Sequence, residues 1–241
     1  MLRKSRLKGI TVFLFLVFSG YAVNAQSDEK KFEIGGQFSL LGLRTQSGTA
    51  TTIPCVGPLP CPVTVTFAEG RETEPGFGGR FGYNFSRYLA LEAEGNFFPR
   101  DRELEGGRKT QGLFGVKVGK RMDRVGIFGK ARPGFVRFQK GDLQPIGVCT
   151  ATFPPPVGCF ETVGRTDFAF DVGGVVELYP STHTIIRFDA GDTIIRFGDR
   201  NVIAVQSFAP GILSPTRLVV VPAAAETTHN FQGSIGFGFR F

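Results

Sequence analysis

The sequence contains very little histidine, the side chain that most often carries acid–base catalysis: His183 and His229 are the only two. It also lacks a phosphate loop, a nucleotide-binding fingerprint and any ligand spacing typical of a metal site. His183 lies in a predicted turn. Ser234 follows His229 by five residues, which in a strand places the two side chains on opposite faces. We therefore expect no enzyme, no cofactor and no metal, and leave open only partners that neighbouring strands would bring to His229.

Long apolar runs are missing after residue 25. The longest charge-free stretches, 143–160 and 201–216, are interrupted by Pro145, by prolines 154–156, and by Pro210 and Pro215. Proline inside a helix removes a hydrogen bond and clashes with the preceding turn. Neither stretch is therefore predicted to cross a membrane as a helix.

The first 25 residues have the pattern of a cleaved secretory signal peptide. Four basic residues and no acidic one lie within residues 1–8, a short apolar core spans 10–18, and residues 23–25 read Val-Asn-Ala. The uncharged stretch 9–25 is short and weak for a membrane anchor. We predict a signal peptide over 1–25 and a mature chain over 26–241.

Removal of that peptide also changes the charge of the protein. The whole sequence has 28 basic and 21 acidic residues, so losing four basic residues leaves 24 against 21, a net charge of +3. No run rich in lysine and arginine remains, and we exclude nucleic acid as a partner.

Eight segments of the mature chain alternate between apolar and polar or small residues, as strands with one apolar face do. Their approximate bounds are 32–44, 76–85, 88–98, 111–120, 125–138, 167–179, 183–197 and 231–241. The connections between them are alternately short and long. The long ones span roughly 45–75, 99–110, 139–166 and 198–229. Short turns at one end and long loops at the other are typical of outer-membrane barrels.

The last segment shows the alternation most clearly. Phe231, Ile235, Phe237, Phe239 and Phe241 share one face, and Arg240 points to the other. Eleven residues are about enough to cross a bilayer as a tilted strand. In a soluble protein such a strand would be an aggregation-prone edge, whereas in a barrel it would close the wall.

The signal peptide, the eight amphipathic strands and the final Gly-Phe-Gly-Phe-Arg-Phe resemble the small OmpA/OmpX-type outer-membrane β-barrel family. This resemblance implies an all-β, eight-stranded antiparallel up-and-down transmembrane barrel, monomeric, in the outer membrane of a diderm bacterium. It also implies that the barrel-assembly machinery reads Phe237, Phe239 and Phe241. The chain departs from the family in having no tryptophan and only four tyrosines for its aromatic girdles, and in lacking a peptidoglycan-binding domain.

A soluble lipocalin-like barrel would also alternate, but it would place the bulky face inside. The interior of eight strands holds only side chains, and the many phenylalanines would overfill it. Their predicted place is the lipid face.

The opposite face is predicted to line the lumen and carries charges of both signs. They are Arg80, Glu92, Glu94, Lys117, Lys130, Arg132, Asp171, Glu177, Arg187, Asp189 and Arg240. Charges in a nearly dry lumen must pair, because an unpaired one costs several kcal/mol. We expect a salt-bridge plug that stiffens the barrel, with a gated ion path or a proton-linked site as the alternative.

Four cysteines lie in two long loops: Cys55 with Cys61, and Cys149 with Cys159. An exported chain meets an oxidising environment, so we predict disulfides, and pairing within each loop is the simplest of three connectivities.

The segments 202–208 and 217–221 of the last long loop are strand-like but short for a bilayer. We predict a hairpin that projects beyond the membrane, with a ten-stranded barrel as the alternative.

These features predict a structural or surface-interaction barrel, the loops of which could bind an extracellular ligand. The alternatives are a small ion or solute channel and, less favoured, an enzyme that modifies lipid A. The partners expected are outer-membrane lipids, lipopolysaccharide and the assembly machinery.

Overall fold

The computed structural model describes residues 30–45, 51–53, 63–66, 70–101, 106–146, 160–207 and 217–241. The predicted signal peptide, 1–25, lies outside them. The strands in these ranges are β1 (Phe32–Thr45), β2 (Thr51–Ile53), β3 (Val63–Thr66), β4 (Gly70–Asn84), β5 (Leu89–Phe98), β6 (Lys109–Arg121), β7 (Val125–Pro145), β8 (Phe160–Leu178), β9 (Thr184–Phe197), β10 (Arg200–Ser207), β11 (Arg217–Ala223) and β12 (Glu226–Arg240). In this part of the chain, no helix is both long and apolar enough to cross a membrane.

Eight of these strands close into a barrel in the order β1-β12-β9-β8-β7-β6-β5-β4. Every neighbouring pair is antiparallel. The first and last strands make the closing seam, in which Glu33 lies opposite Arg240. Backbone hydrogen bonds of 3.0 and 2.9 Å between Phe32 and Phe241 complete it. The predicted eight-stranded antiparallel barrel is confirmed.

The wall follows the predicted alternation of side chains. Its outward residues are strongly exposed, as Phe231 at 67% and Phe77 at 59% show, whereas the inward Lys117 is 0% exposed. The bulky apolar face lies outside and the polar face inside. This is the reverse of a lipocalin, and the lipocalin alternative is wrong.

The barrel has a turn end and a loop end. At the turn end, residues 85–88, 122–124 and 179–183 connect consecutive strands. The Ser86 hydroxyl, for example, accepts hydrogen bonds from the backbone N–H groups of Tyr88 and Leu89. The long connections all lie at the other end, as predicted.

Several strands continue into segments that were expected to be loops. β4 begins at Gly70, β7 runs to Pro145, β8 begins at Phe160 and β12 begins at Glu226. A shift of register between Phe138 and Asp142 marks the point where β7 and β8 leave the regular wall. Beyond the apolar band both faces of a strand can meet water, so the alternation that predicts a strand disappears.

The loop end carries a second, four-stranded sheet in the order β11-β10-β3-β2. β10 and β11 correspond to the predicted hairpin, and they pair outside the barrel. Asn201 attaches this sheet to β7, through its N–H to the Asp142 carboxylate and its amide to the Leu143 carbonyl, both at 2.9 Å. The ten-stranded alternative is therefore wrong.

At some positions neighbouring strands approach so closely that only glycine fits between their backbones. A Cβ atom on Gly134 would lie 1.9 Å from the Gly112 carbonyl oxygen, far inside any allowed contact. Pro133, which has no N–H, precedes it, and the β6–β7 pairing is interrupted between Leu113–Gly134 and Val116–Ala131 with no change of register. Glycine at position 134 permits this close approach of β6 and β7 beside a proline that cannot donate a backbone hydrogen bond.

Candidate functional site in the barrel interior

The middle of the barrel interior is filled by an ion-pair network of buried side chains from six strands. Its members are Glu33, Glu92, Glu94, Lys117, Arg121, Lys130, Arg132, Asp171, Glu177, Arg187 and Asp189. All but Arg121, with a side chain 9% exposed, fall among the buried polar residues. Together with the buried Arg80 they make six cations and six anions, so the formal charges at this level cancel.

Arg132 of β7 is the most fully bonded cation of the network. Its Nε and Nη2 donate to the Asp171 carboxylate at 2.9 and 2.6 Å, and Nη1 donates to Glu94 at 2.5 Å. Lys130, two residues away on the same inward face, pairs with Asp171 at 2.9 Å and also with Asp189. Each cation is held by acids on different strands, which resists any relative movement of those strands.

Lys117 joins three carboxylates at the next level towards the turn end. Its Nζ lies 2.5 Å from Glu177, 3.2 Å from Glu92 and 3.3 Å from Glu33. Oxygens of these three acids lie within 4.8 Å of one another, a geometry that could hold a metal ion. The ammonium group of Lys117 contacts all three and supplies the positive charge that the cluster needs.

Arg121 and Tyr179 cover the network at the turn end. Arg121 donates to Glu33 at 2.7 Å and to the Tyr179 hydroxyl at 3.0 Å, and that hydroxyl donates to Glu177 at 2.7 Å. Tyr179 lies just beyond β8, where burial and the Glu177 carboxylate raise the pKa of its hydroxyl. The hydroxyl therefore stays protonated and can act as a donor.

Arg80 differs from the other interior cations. Among the described residues its Nη2 has no hydrogen-bond partner, although the side chain is only 7% exposed. It lies along the wall, where a Cβ on Gly236 would be 2.9 Å from its Nη1 and a Cβ on Gly35 would be 3.4 Å from its Nε. The two glycines leave the room that this guanidinium occupies.

An amide layer lies above the network, towards the loop end. Gln37 donates to Asn96 at 2.8 Å, Asn96 to Gln111 at 2.8 Å, and Gln111 to Gln232 at 2.9 Å. Thr193 adds a hydrogen bond to Gln232 at 2.7 Å. This chain of amides runs from β1 to β5 and β6. From β6 it crosses the lumen to β12, the neighbour of β1.

An apolar layer follows towards the loop end, made by inward positions of β1, β5, β7, β8 and β9. Its members are Leu41, Leu43, Phe98, Val136, Phe138, Ala169, Ile195 and Phe197, all buried. The rings of Phe138 and Phe197 are 5.6 Å apart between centroids. At the same level Lys109, opposite Phe138 in the β6–β7 ladder, and Glu74, opposite Leu41 in the β1–β4 ladder, form one more buried pair at 2.8 Å. The described part of the interior is thus filled by layers of different chemistry.

Ten of the eleven side chains predicted for the lumen lie buried in the interior, and Arg240 does not join them. Arg240 has the inward parity, but it is at the edge of the turn end. There its Nε donates to the Thr182 carbonyl at 2.9 Å and its guanidinium lies 4.2 Å from the Tyr179 ring centroid. These turn groups are nearer than any acid of the network, and the prediction of a lumen role for Arg240 is wrong.

Glu33 and Arg121 belong to the network but not to the predicted set of lumen charges. Glu33 shares the inward parity of Gln37, and the alternation of β1 could have identified it. Arg121 ends β6, one residue beyond the predicted segment 111–120. Its long side chain reaches back into the barrel, which parity alone does not predict.

The outer face carries a second arrangement of titratable groups. His229 Nδ1 lies 2.5 Å from Asp192 Oδ2, and both side chains are exposed on the outside of neighbouring strands. Ser234 has no part in it, since it lies opposite Ser39 and Asp189 in the ladder. Among the described residues, this is the only hydrogen bond of the His229 ring.

Two further sets of predicted residues can be placed. Phe237, Phe239 and Phe241 point outward and are half-exposed or more, with Phe241 stacked on Phe32 at 6.0 Å between centroids. Cys55, Cys61, Cys149 and Cys159 lie outside the described residues.

A closed barrel with an apolar exterior and a polar interior is the architecture of an outer-membrane β-barrel protein. Residues 11–241 match the family described as outer membrane protein beta-barrel domain, and the chain belongs to that family. It is a protein of the bacterial outer membrane.

Three solved structures illustrate the likeness. Neisserial surface protein A is 11% identical, with 87% of this chain and 97% of that chain covered and a TM-score of 0.42. OprG from Pseudomonas aeruginosa is 13% identical, with 90% and 99% covered and a TM-score of 0.42. Ail of Yersinia pestis is 13% identical, with 88% and 99% covered and a TM-score of 0.38. A search of curated proteins finds no match.

Proposed function

We propose that this protein is a structural or surface-interaction barrel of the outer membrane, with a closed interior. The observation that carries the proposal is the stacking of the ion-pair network, the amide layer and the apolar layer across the whole lumen. An ion would have to displace paired charges and then pass packed apolar side chains, at the level of which Lys109 and Glu74 are already paired with each other. The alternative, a small ion or solute channel, needs all three of these layers to move.

The loop end is the part available for interaction. In barrels of this plan the short turns face the periplasm and the long loops face outside. Here β7 and β8 extend past the wall, and the second sheet is attached to β7 through Asn201 and Asp142. Arg165 adds a hydrogen bond of 3.0 Å to the Gly198 carbonyl. A second sheet that is attached to the barrel by several hydrogen bonds suits the presentation of a surface to an extracellular ligand.

We also propose that disulfides shape the loops and that the assembly machinery recognises the last strand. Disulfides between Cys55 and Cys61 and between Cys149 and Cys159 would give two of the loops a defined shape. The outward phenylalanines 237, 239 and 241 would be read by the assembly machinery, and the barrel would act as a monomer among outer-membrane lipids. Catalysis is not part of the proposal, because the His229 ring has Asp192 and no nucleophile as its described hydrogen-bond partner.

Planar-bilayer recording of the purified, folded barrel tests the closed interior. We expect no reproducible single-channel steps above those of a heat-unfolded sample of the same preparation. Steps of constant size that depend on folded protein would overturn the plug and favour the channel.

A further inference from the structure

Five arginines lie at one height on the outside of the barrel. Each is twelve residues along the chain from an outward position at the turn end of its own strand. The pairs are Arg44 with Phe32, Arg71 with Tyr83, Arg108 with Lys120, Arg137 with Val125, and Arg196 with Thr184. We call these five residues the arginine belt. On β12, His229 stands in the same relation to Phe241.

This spacing places the belt at the level of lipid headgroups. Twelve residues of antiparallel strand span about 41 Å, and a tilt of about 40° reduces this to about 31 Å along the membrane normal. The apolar band of such barrels is about 25 Å tall. The belt therefore lies just above the outer edge of the hydrocarbon, on the side of the long loops.

The outward positions between the turn end and the belt are almost free of charge. On β1 they are Ile34, Gly36, Phe38, Leu40 and Gly42, and on the other barrel strands only Asp192 is charged. That acid is bonded to His229. The change from an apolar wall to cationic side chains within one or two positions marks a boundary between hydrocarbon and an anionic layer.

Arg44 and Arg71 form the strongest part of the belt. They are directly opposite each other in the β1–β4 ladder, and both are exposed. Like charges in this relation destabilise a sheet, since their Cβ atoms are only about 5 Å apart. Among the described residues neither side chain makes an ion pair or a hydrogen bond, and the same is true of Arg137 and Arg196, whereas Arg108 of the belt lies 3.7 Å from Asp101. An anion between the two guanidinium groups would remove the repulsion.

We propose that the arginine belt, and above all the pair Arg44–Arg71, binds phosphate groups of the outer-leaflet lipid. Two guanidinium forks match the tetrahedral oxygens of a phosphate monoester better than two ammonium groups would. The belt faces away from the barrel at membrane height, so a headgroup meets it before a soluble polyanion does. This inference rests on the outer-membrane location and not on the proposed plug.

The test uses the full-length mature protein refolded in phosphatidylcholine vesicles with bis-phosphorylated lipid A or with the same lipid after removal of its phosphates. Native mass spectrometry counts the lipid A molecules that stay bound after extraction. We expect at least tenfold preference for the phosphorylated form, and about tenfold loss of binding in Arg44→Gln/Arg71→Gln. The matched control, Lys120→Gln/Arg124→Gln, removes two exposed charges at the turn end and should bind as the wild type does.

Two further arms separate the sources of the anion and guard against misfolding. Inorganic phosphate at 100-fold excess over lipid A should not displace it, and a soluble sulfated polysaccharide should bind no more tightly to the wild type than to the glutamine variant. Arg44→Lys/Arg71→Lys keeps the charge and should retain part of the binding. Equal binding of dephosphorylated lipid, equal binding by the glutamine variant, or belt-dependent capture of the polysaccharide in place of lipid A would overturn the proposal.

Discussion

Arg187 and Glu92 bind each other across the full diameter of the barrel, because β9 and β5 are four strands apart in a ring of eight. Arg187 reaches both carboxylate oxygens, with Nη2 at 2.9 Å from Oε2 and Nη1 in contact with Oε1. The same guanidinium also donates to Asp189 at 2.8 Å. One ion pair thus ties opposite walls together.

Removal of one partner of this pair should destabilise the barrel strongly. Glu92→Gln leaves the buried Arg187 without its main acid, and breaking a buried pair in this way costs about 3–5 kcal/mol. Urea titration of folding in vesicles, followed by heat-modifiable gel mobility, measures the effect. Arg240→Gln is the control, since it removes an arginine of the same parity outside the network, and it should cost less than about 1 kcal/mol. Equal effects of both substitutions would refute the assignment of Arg187–Glu92 to the structural core.

The tight seam between β6 and β7 predicts a difference between two glycines. Gly134→Ala should destabilise by about 1–3 kcal/mol or more, because the new Cβ would meet the Gly112 carbonyl at 1.9 Å. Gly95→Ala, at an outward position with nothing within 4 Å, should be neutral or slightly stabilising. The folded fractions of the two variants after identical refolding give the comparison. If Gly134→Ala folds as well as Gly95→Ala, the close approach of the strands is not required.

Phe241 should matter for assembly in cells more than for stability of the finished barrel. Deletion of Phe241, or Phe241→Asp, should sharply reduce the heat-modifiable protein in outer membranes, whereas Phe241→Tyr should assemble. The deletion variant should still refold in detergent, since Phe241 is 61% exposed and contributes ring stacking and two backbone hydrogen bonds with Phe32 only at the very end of the seam. Normal insertion of the deletion variant in cells would contradict the assembly-signal proposal.

Expression of the wild-type protein should leave the lipid A of the host unchanged. The His229–Asp192 pair faces the outer leaflet, but its described hydrogen bonds include no nucleophile. Mass spectrometry of extracted lipid A, with His229→Gln as the matched control, tests this. A new deacylated or acylated species that disappears in His229→Gln would make the protein an enzyme.

The parity of side chains predicted most of the barrel because a strand has only two faces. Lys117, Lys130 and Arg132 could be assigned to the interior from their neighbours alone, and the structure buries all three. The choice of partner could not be predicted in this way. Arg132 pairs with acids on β5 and β8, and these distances depend on the closure and stagger of the barrel.

Residues at strand ends were the least predictable. Arg240 and Arg121 both lie where a strand meets the turn end, and each has a side chain long enough to reach either way. Arg121 turns into the network and Arg240 turns towards the Thr182 carbonyl. The direction of each side chain depends on the nearest hydrogen-bond acceptor, and that acceptor is in place only once the barrel and its turns have folded.

The sequence by itself determined the class of fold, the face that meets lipid and the membrane in which the protein lies, because alternation and turn spacing are local properties of the chain. Tertiary structure decided which side chains form each layer inside the barrel and which arginines form the arginine belt outside it. Gln111 and Gln232 meet across the lumen although 121 residues separate them, and Arg44 meets Arg71 through one register of the β1–β4 ladder. Such contacts depend on how far each strand is shifted against the next, a quantity that arises only when all eight strands close.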